Sequence, residues 1–198
     1  MTTLQALPAG FNSSWQAEAP APPGFSFDGS ALRWRALVHT LLKRLPPLNG
    51  EPIQIQRVPG LRDRYGAVHA GSFLRERRIA FNCTHAEFAR IFIHELFHFV
   101  WVRLGNRRRW SFEELVKAEV QCGELGWSAE RRRNALRKRD PHLRTRKWRE
   151  YCCESFCDTA AWMFAGAAKH TEFTLPEKYR QGRRKWFREN IAAARLSI

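Results

Sequence analysis

The segment from residue 84 to residue 105 constrains most strongly what this chain can fold into. Thr84 and Glu87 fit a capping box, which predicts that a helix begins there, and Gly105 predicts its end. Apolar residues recur between them at intervals of three and four, the pattern of a helix with a buried face: Phe88, Ile91, Phe92, Phe97, Val100, Trp101 and Leu104. The fold must therefore cover a long apolar helix.

Three polar residues interrupt this apolar pattern in the spacing His-Glu-x-x-His: His94, Glu95 and His98. Residues four apart lie one turn above each other, so both rings can reach the same zinc ion. Glu95 lies about 100° around the helix from His94, where it can contact a water on the metal but not act as a ligand. Because polar groups buried without partners are costly, we interpret the pattern as a Zn²⁺ site rather than as two core histidines and a glutamate.

A catalytic zinc site needs a third protein ligand and an open position. Glu154 and Asp158 lie four apart in a second predicted helix, at about residues 144–166, whose apolar neighbours indicate burial. We predict that Glu154 binds the metal and that Asp158 accepts the far ring N–H of His94. Glu150 and, after it, Glu119 are the alternative third ligands.

Three short strand patterns precede the first helix, at residues 53–58, 66–70 and 78–82. They predict an α+β fold, in which a small, mostly antiparallel three-stranded sheet packs on a mainly helical domain. The last strand is expected to offer a free edge to which an extended peptide can add: Arg78, Ile79, Ala80, Phe81 and Asn82. Further along the chain, Ser111 and Glu114 predict another helix start, and Pro141 predicts the end of a short basic helix.

Length and composition favour one globular domain. The chain has 198 residues, of which 44% are hydrophobic and 13% aromatic, enough for a single core. Residues 1–30 are rich in Pro and Ala and show no regular period, so a largely irregular segment is expected before a single domain at 31–198. We expect no membrane span and no secretory signal, which favours a cytoplasmic location.

The net charge of +15 is concentrated in one run that begins at Arg131 and ends at Arg149, where about half of the residues are Lys or Arg. Such a run is usually a solvated helix face, and it can also bind nucleic acid or an acidic protein. Aromatic residues that could stack on bases are sparse within it, since Trp148 is the only one.

The five cysteines are odd in number and form no C-x-x-C pair, which predicts reduced thiols that pack as small apolar groups. A zinc site formed by Cys152, Cys153 and Cys157 is the less favoured alternative, because adjacent residues of a helix point in different directions.

Together, His94-Glu95-x-x-His98 and the later Glu154-x-x-x-Asp158 resemble the gluzincin branch of the zincin metallopeptidases, in a compact form like that of minimal bacterial zincins. The resemblance implies that a second helix supplies Glu154 as a ligand, that Asp158 hydrogen-bonds the first histidine, and that an edge strand precedes the metal-binding helix. It also implies zinc-dependent hydrolysis of peptide bonds with Glu95 as the general base. Metzincins are disfavoured, because no glycine and third histidine follow His98 at their spacing.

Peptide hydrolysis also needs a donor that stabilises the oxyanion, and four side chains stay open for that role: Tyr65, Tyr151, His142 and His170. The alternative function is a binding module on a zincin fold. In that case the metal is structural or absent, and the basic run binds nucleic acid or an acidic partner with a steep dependence on salt.

Overall fold

The computed structural model describes residues 24–64, 66–167 and 169–198. The strands, in chain order, are β1 (Phe25–Phe27), β2 (Leu48–Asn49), β3 (Ile53–Arg57), β4 (Arg62–Asp63), β5 (Gly66–Ala67), β6 (Ala70–Phe73), β7 (Arg78–Phe81) and β8 (Leu196–Ser197). The helices are α1 (Arg35–Leu42), α2 (His85–Arg103), α3 (Asn106–Glu119), α4 (Trp127–Asn134), α5 (Asp140–Leu143), α6 (Arg146–Phe164) and α7 (Glu177–Phe187). A 3₁₀ turn, Leu32–Trp34, precedes α1, and a π-helical turn, Arg188–Ala192, follows α7. The fold is α+β.

The largest sheet has four strands in the order β1-β3-β7-β6, and it is mixed. β1, β3 and β7 are parallel neighbours, whereas β6 runs antiparallel to β7. The prediction of a mostly antiparallel three-stranded sheet is therefore wrong. Strand β1 falls within the segment that was expected to be irregular, and β3 pairs with β7 rather than with the strand that follows it. β4 with β5 and β2 with β8 form separate small pairs.

Strand β7 lies inside the sheet, between β3 and β6. Residues 79–81 are buried, and Asn82 donates its backbone N–H to the carbonyl oxygen of His69 at 2.7 Å. The prediction that Arg78, Ile79, Ala80, Phe81 and Asn82 form a free edge is therefore wrong. The strand predicted at residues 66–70 is divided between β5 and the start of β6, and β6 is the end strand of the sheet.

Helix α2 is the centre of the fold, packed between the sheet and α6. Its middle is buried on nearly every side, with Ile93, Leu96 and Phe97 fully inaccessible. Thr84 is the N-cap as predicted, but its side chain makes no capping hydrogen bond. Glu87 instead pairs with Arg90 at 2.7 Å, so the capping box does not form although the helix does.

The N-terminal part of the chain joins the domain earlier than predicted. Most of the Pro- and Ala-rich segment lies outside the described residues, which begin at residue 24. Phe25 in β1 packs against Phe92 of α2, with ring centroids 5.8 Å apart, and β1 completes one side of the four-stranded sheet. The core therefore includes residues before 31.

Two further helix boundaries differ from their predictions. α3 begins at Asn106, directly after Gly105, so Ser111 lies inside the helix, where its hydroxyl donates to the carbonyl of Arg108 at 3.0 Å. Pro141 lies in the first turn of α5 rather than after a helix, a position where its missing N–H costs nothing. None of the helices within the described residues combines the length and apolar character needed to cross a bilayer.

Candidate metal centre

Packing of α2 against α6 brings two imidazoles and one carboxylate together. The Nε2 atoms of His94 and His98 are 3.3 Å apart. Oε2 of Glu154 lies 3.2 Å from Nε2 of His94 and 3.7 Å from Nε2 of His98. Ligand atoms around a tetrahedral zinc with bonds of about 2.0–2.1 Å lie about 3.3 Å apart, so these three atoms have the spacing of a ligand set.

The chemistry of these donors also fits zinc. Two neutral imidazoles and a carboxylate are a common set of three protein ligands in catalytic zinc sites. The lone pairs of two Nε2 atoms cannot satisfy each other, because a hydrogen bond between them needs a proton on one ring. The side chains of His94, His98 and Glu154 keep 10%, 18% and 18% of their surface accessible, so the cluster is reachable from outside.

Acidic neighbours offset the effect of burial on the pKa of both histidine rings. Burial lowers the pKa of both histidines, but it is outweighed by Asp158, Glu154 and Glu95 at His94, and by the ionised Cys153, Glu154 and Glu95 at His98. The pKa of His98 is raised to about 9, and that of His94 well above its usual range. Burial raises the pKa of Glu154, yet the hydrogen bond with His94 and the charges of both histidines and Arg132 lower it to about 2. Metal binding at such a cluster would release protons.

Asp158 fixes the orientation of His94. Its Oδ1 lies 2.7 Å from Nδ1 of His94, and its Oδ2 accepts the backbone N–H of Ala129 at 2.9 Å. The first contact assigns the ring proton to Nδ1, because a carboxylate only accepts, and leaves Nε2 for a metal. The second contact satisfies a first-turn N–H of α4, so one buried carboxylate holds both the histidine and the start of α4.

Gly126 permits the close approach of Asp158 to the start of α4. This role of Gly126 was not predicted from the sequence. A Cβ atom at this position would overlap the carboxyl group of Asp158. Gly126 is the N-cap of α4, so the absence of a side chain lets the helix start approach the carboxylate closely. The only signal in the sequence is a glycine two residues before Ser128 at a predicted helix start.

Glu95 faces the sheet edge formed by β6. The hydroxyl of Ser72 donates to the carbonyl oxygen of Glu95 at 2.9 Å and also to its carboxylate. The charge of Glu95 is the smallest of the causes that raise the pKa of His94 and His98. Ser72 was missed because no motif marks it; the sheet topology alone brings it to α2.

The alternative third ligands lie elsewhere. Glu150 pairs with Arg132 at 3.0 Å and with Arg146 at 2.8 Å. Glu119 pairs with the fully buried Arg183. Neither belongs to the histidine cluster, so these two alternatives are wrong. Arg132, which the sequence analysis assigned only to the basic run, also approaches Oε1 of Glu154 at 3.8 Å.

Three of the four proposed oxyanion donors, Tyr151, His142 and His170, make no described contact with the histidine pair. Tyr151 is fully buried and donates its hydroxyl to Glu124, which contradicts its predicted role. His142 is exposed on α5, and His170 lies 3.5 Å from Glu87. Tyr65 lies outside the described residues. The described hydrogen bonds and ion pairs join none of the first three to the two ligand histidines.

A second donor set shares His98. Cys153 Sγ lies 3.4 Å from Nδ1 of His98, and Cys157 contacts Cys153 one turn further along α6. Together they could also hold a metal ion, through Nδ1 rather than the Nε2 atom that faces Glu154. Cys152 is buried and is not part of this set, so the less favoured alternative, a site formed by all three cysteines, does not assemble. All five cysteines are free thiols.

Comparisons with protein-family models, with curated proteins and with solved structures each find no match to this chain. The likeness to gluzincins therefore rests on the five motif positions alone and stays a resemblance. The function must be argued from the geometry of the site.

Proposed function

We propose that this protein is a zinc-dependent peptide hydrolase in which Glu95 is the general base. The observation that carries the proposal is the convergence of His94 Nε2, His98 Nε2 and Glu154 Oε2 at ligand spacing. Glu95 follows His94 on the same helix and is not one of the three converging residues. Three protein ligands with an accessible side are the arrangement of catalytic rather than structural zinc.

The protein's own residues have separate tasks in this reaction. A zinc ion held there would lower the pKa of a bound water to about 7 and polarise a substrate carbonyl. Glu95 accepts the proton that is released and passes it to the leaving amine. Ser72 donates a hydrogen bond to the Glu95 carboxylate, which restricts the orientation of that side chain. Asp158 keeps the proton of His94 on Nδ1.

The substrate path follows from the corrected sheet topology. β6 is the end strand beside the site, and its residue Ser72 contacts Glu95. An extended peptide that pairs with the outer side of β6 through main-chain hydrogen bonds would carry a peptide bond past Glu95. Strand β7 cannot take this role, because it is already paired on both sides.

Glu95→Gln tests the proposal, with Glu114→Gln as the control because Glu114 is 69% exposed on α3. Zinc content is measured by atomic absorption, and cleavage of an unselected peptide mixture by mass spectrometry. We expect one zinc per chain in all three proteins. Only Glu95→Gln should lose cleavage, by about 10²–10⁴-fold. Equal cleavage by wild type and Glu95→Gln would remove the assigned role.

A second function is favoured by two exposed tryptophans beside the basic run. Trp127 is 57% exposed under the guanidinium of Arg131, and Trp110 is 51% exposed under that of Arg144. Exposed aromatic rings next to arginines can stack on nucleic-acid bases. Trp148, the aromatic residue that the sequence analysis considered, is buried instead.

Nucleic-acid binding is the weaker candidate, because acids already pair with several cations of the run. Arg132, Arg133 and Arg144 each form an ion pair with a glutamate. Fluorescence anisotropy with a labelled single-stranded oligonucleotide at 50–200 mM salt tests it. Trp127→Ala should weaken binding about tenfold, and no binding by wild type at low salt would eliminate this function.

A further inference from the structure

A pocket of about 580 Å³ opens at the start of α2 and shares no lining residue with the metal centre. Its basic side chains are Arg33, Arg57, His69 and His85, and none of the described residues that line it is a carboxylate. Burial, together with the charge of Glu87, raises the pKa of the lining residue Cys83 to about 11, so this thiol is uncharged near neutral pH. The wall is therefore cationic, and the volume is typical of small-ligand sites.

The position of the pocket in the fold also favours an anion. Arg57 and Phe81 are register partners at the carboxyl ends of the parallel strands β3 and β7, and α2 begins shortly afterwards at His85. Anionic groups bind where such strand ends meet a helix N-terminus, because the first helical N–H groups point outward. The side chain of Thr84 does not cap these groups.

Two donors in the wall lack acceptors. Nε of Arg57 and Nε1 of Trp34 are buried and have no hydrogen-bond partner, and Trp34 is only 2% exposed. The guanidinium of Arg33 lies 4.9 Å over the Trp34 ring. Unpaired buried donors are unfavourable, and both belong to side chains that line the pocket.

The pocket lies near one end of the proposed peptide path along β6. His69, which lines it, directly precedes β6, and Ser72 three residues later contacts Glu95. Three residues of extended chain span about 10 Å. A side chain of a peptide paired with β6 can therefore enter the pocket while the peptide backbone passes Glu95.

We propose that this pocket binds a carboxylate or phosphate group carried by a peptide on β6, about three residues from the bond that faces Glu95. Arg33 and Arg57 supply the charge, and the first turn of α2 supplies N–H donors. The position relative to the cleaved bond rests on the proposed hydrolytic function, whereas anion binding itself does not.

Calorimetric titration with inorganic phosphate tests anion binding independently of peptide cleavage. The buffer contains a metal chelator and is low in salt. Wild type is compared with Arg33→Gln, Arg57→Gln and the control Arg75→Gln, an exposed arginine in the turn between β6 and β7. We expect binding by wild type and Arg75→Gln, and a loss of about tenfold or more in the other two. Arg33 is exposed, so its variant is informative even if Arg57→Gln folds poorly. No phosphate binding by wild type, or equal binding by Arg33→Gln, overturns the proposal.

The position of the pocket along β6 is tested with pairs of peptides that are identical except for one residue, which is Asp in one peptide and Asn in the other. This residue lies three positions before or after the cleaved bond. Wild type and Arg75→Gln should cleave the Asp peptide with an about tenfold higher kcat/KM, and Arg33→Gln should cleave both peptides equally. Cleavage of the Asp and Asn peptides at equal rates by wild type would overturn the proposed position of the pocket along β6. Phosphate binding by a protein that cleaves no peptide supports the anion site and removes the proposed function instead.

Discussion

Two buried polar clusters lie on different sides of α6, and their charges are arranged differently. Facing α7, the fully buried Arg183 pairs with Glu119 and Glu124, and Tyr151 and Ser155 donate to Glu124. Each carboxylate there has a permanent cation from the protein itself. Burial and the charge of Glu124 together raise the pKa of Glu119 more than Arg183 lowers it, because the interior opposes charge.

Facing α2, the other cluster has no Lys or Arg of the described residues between its three acceptor atoms. Arg132 approaches Oε1 of Glu154 at 3.8 Å, whereas Oε2 faces the histidines. The acceptor atoms of His94, His98 and Glu154 face one another, and only protons or a metal ion can make their contacts favourable. A self-paired cluster holds the fold together, whereas a cluster of facing acceptors can bind a cation from solution. The predictions that follow test this distinction, from the largest expected effect to the smallest.

Arg183→Met should destabilise the fold most, because it leaves two buried carboxylates without their cation. We expect a loss of about 3–5 kcal/mol in the free energy of unfolding, measured by urea denaturation with and without chelator. Lys185→Met, at an exposed position of the same helix, should change it by less than about 0.5 kcal/mol. A similar small change for Arg183→Met would show that its network is not structural.

Zinc should stabilise the other cluster instead. At a zinc concentration 100 times the dissociation constant, the free energy of unfolding of wild type should rise by about 2.7 kcal/mol. Glu154→Gln should lose most of this rise at the same concentration, and Cys157→Ser should keep it, because Cys157 belongs to the donor set on Nδ1 of His98. If Cys157→Ser loses the rise and Glu154→Gln keeps it, the metal is held by the thiols.

Asp158→Asn should weaken zinc binding about 10- to 100-fold, because the charge that orients His94 is lost. Competition with a chromophoric chelator measures the dissociation constant. Asp140→Asn is the matched control, since Asp140 is also buried and accepts a backbone N–H, that of Arg137 at 2.6 Å. An equal loss of zinc affinity in both variants would mean that Asp158 acts only on the fold.

Gly126→Ala should have the smallest effect, a loss of about 1 kcal/mol in the free energy of unfolding, together with weaker zinc binding. The added methyl group must displace the Asp158 carboxylate or the start of α4. Gly29→Ala is the control, because a Cβ atom there meets nothing within 4 Å. Unchanged stability and zinc affinity in Gly126→Ala would contradict the close approach.

The features that could be predicted from sequence are those set by local spacing. The helix expected at residues 84–105 is confirmed by α2, and the one at 144–166 by α6. Residues four apart on these helices share a face, so the pairs His94–His98 and Glu154–Asp158 could be found without coordinates. Their meeting was a further hypothesis, which the geometry supports.

Features that depend on distant partners could not be predicted. The parallel pairing of β3 with β7 joins segments separated by a small hairpin and by β6, and it decides that β6 is the edge strand. The contact of Ser72 with Glu95 follows from that topology. The pairing of Glu119 with Arg183 likewise depends on how α3 and α7 pack, which local patterns do not encode.

The shared carboxylate of Asp158 couples two parts of the molecule thermodynamically. It accepts an N–H from the first turn of α4 and also contacts His94. If zinc binds as proposed, a ligand that moves α4 together with Asp158 would alter zinc affinity, and zinc would alter the affinity of that ligand by the same factor. Trp127 and Arg131 lie on α4, so a ligand held there would be coupled to the histidine cluster with no contact between the two ligands.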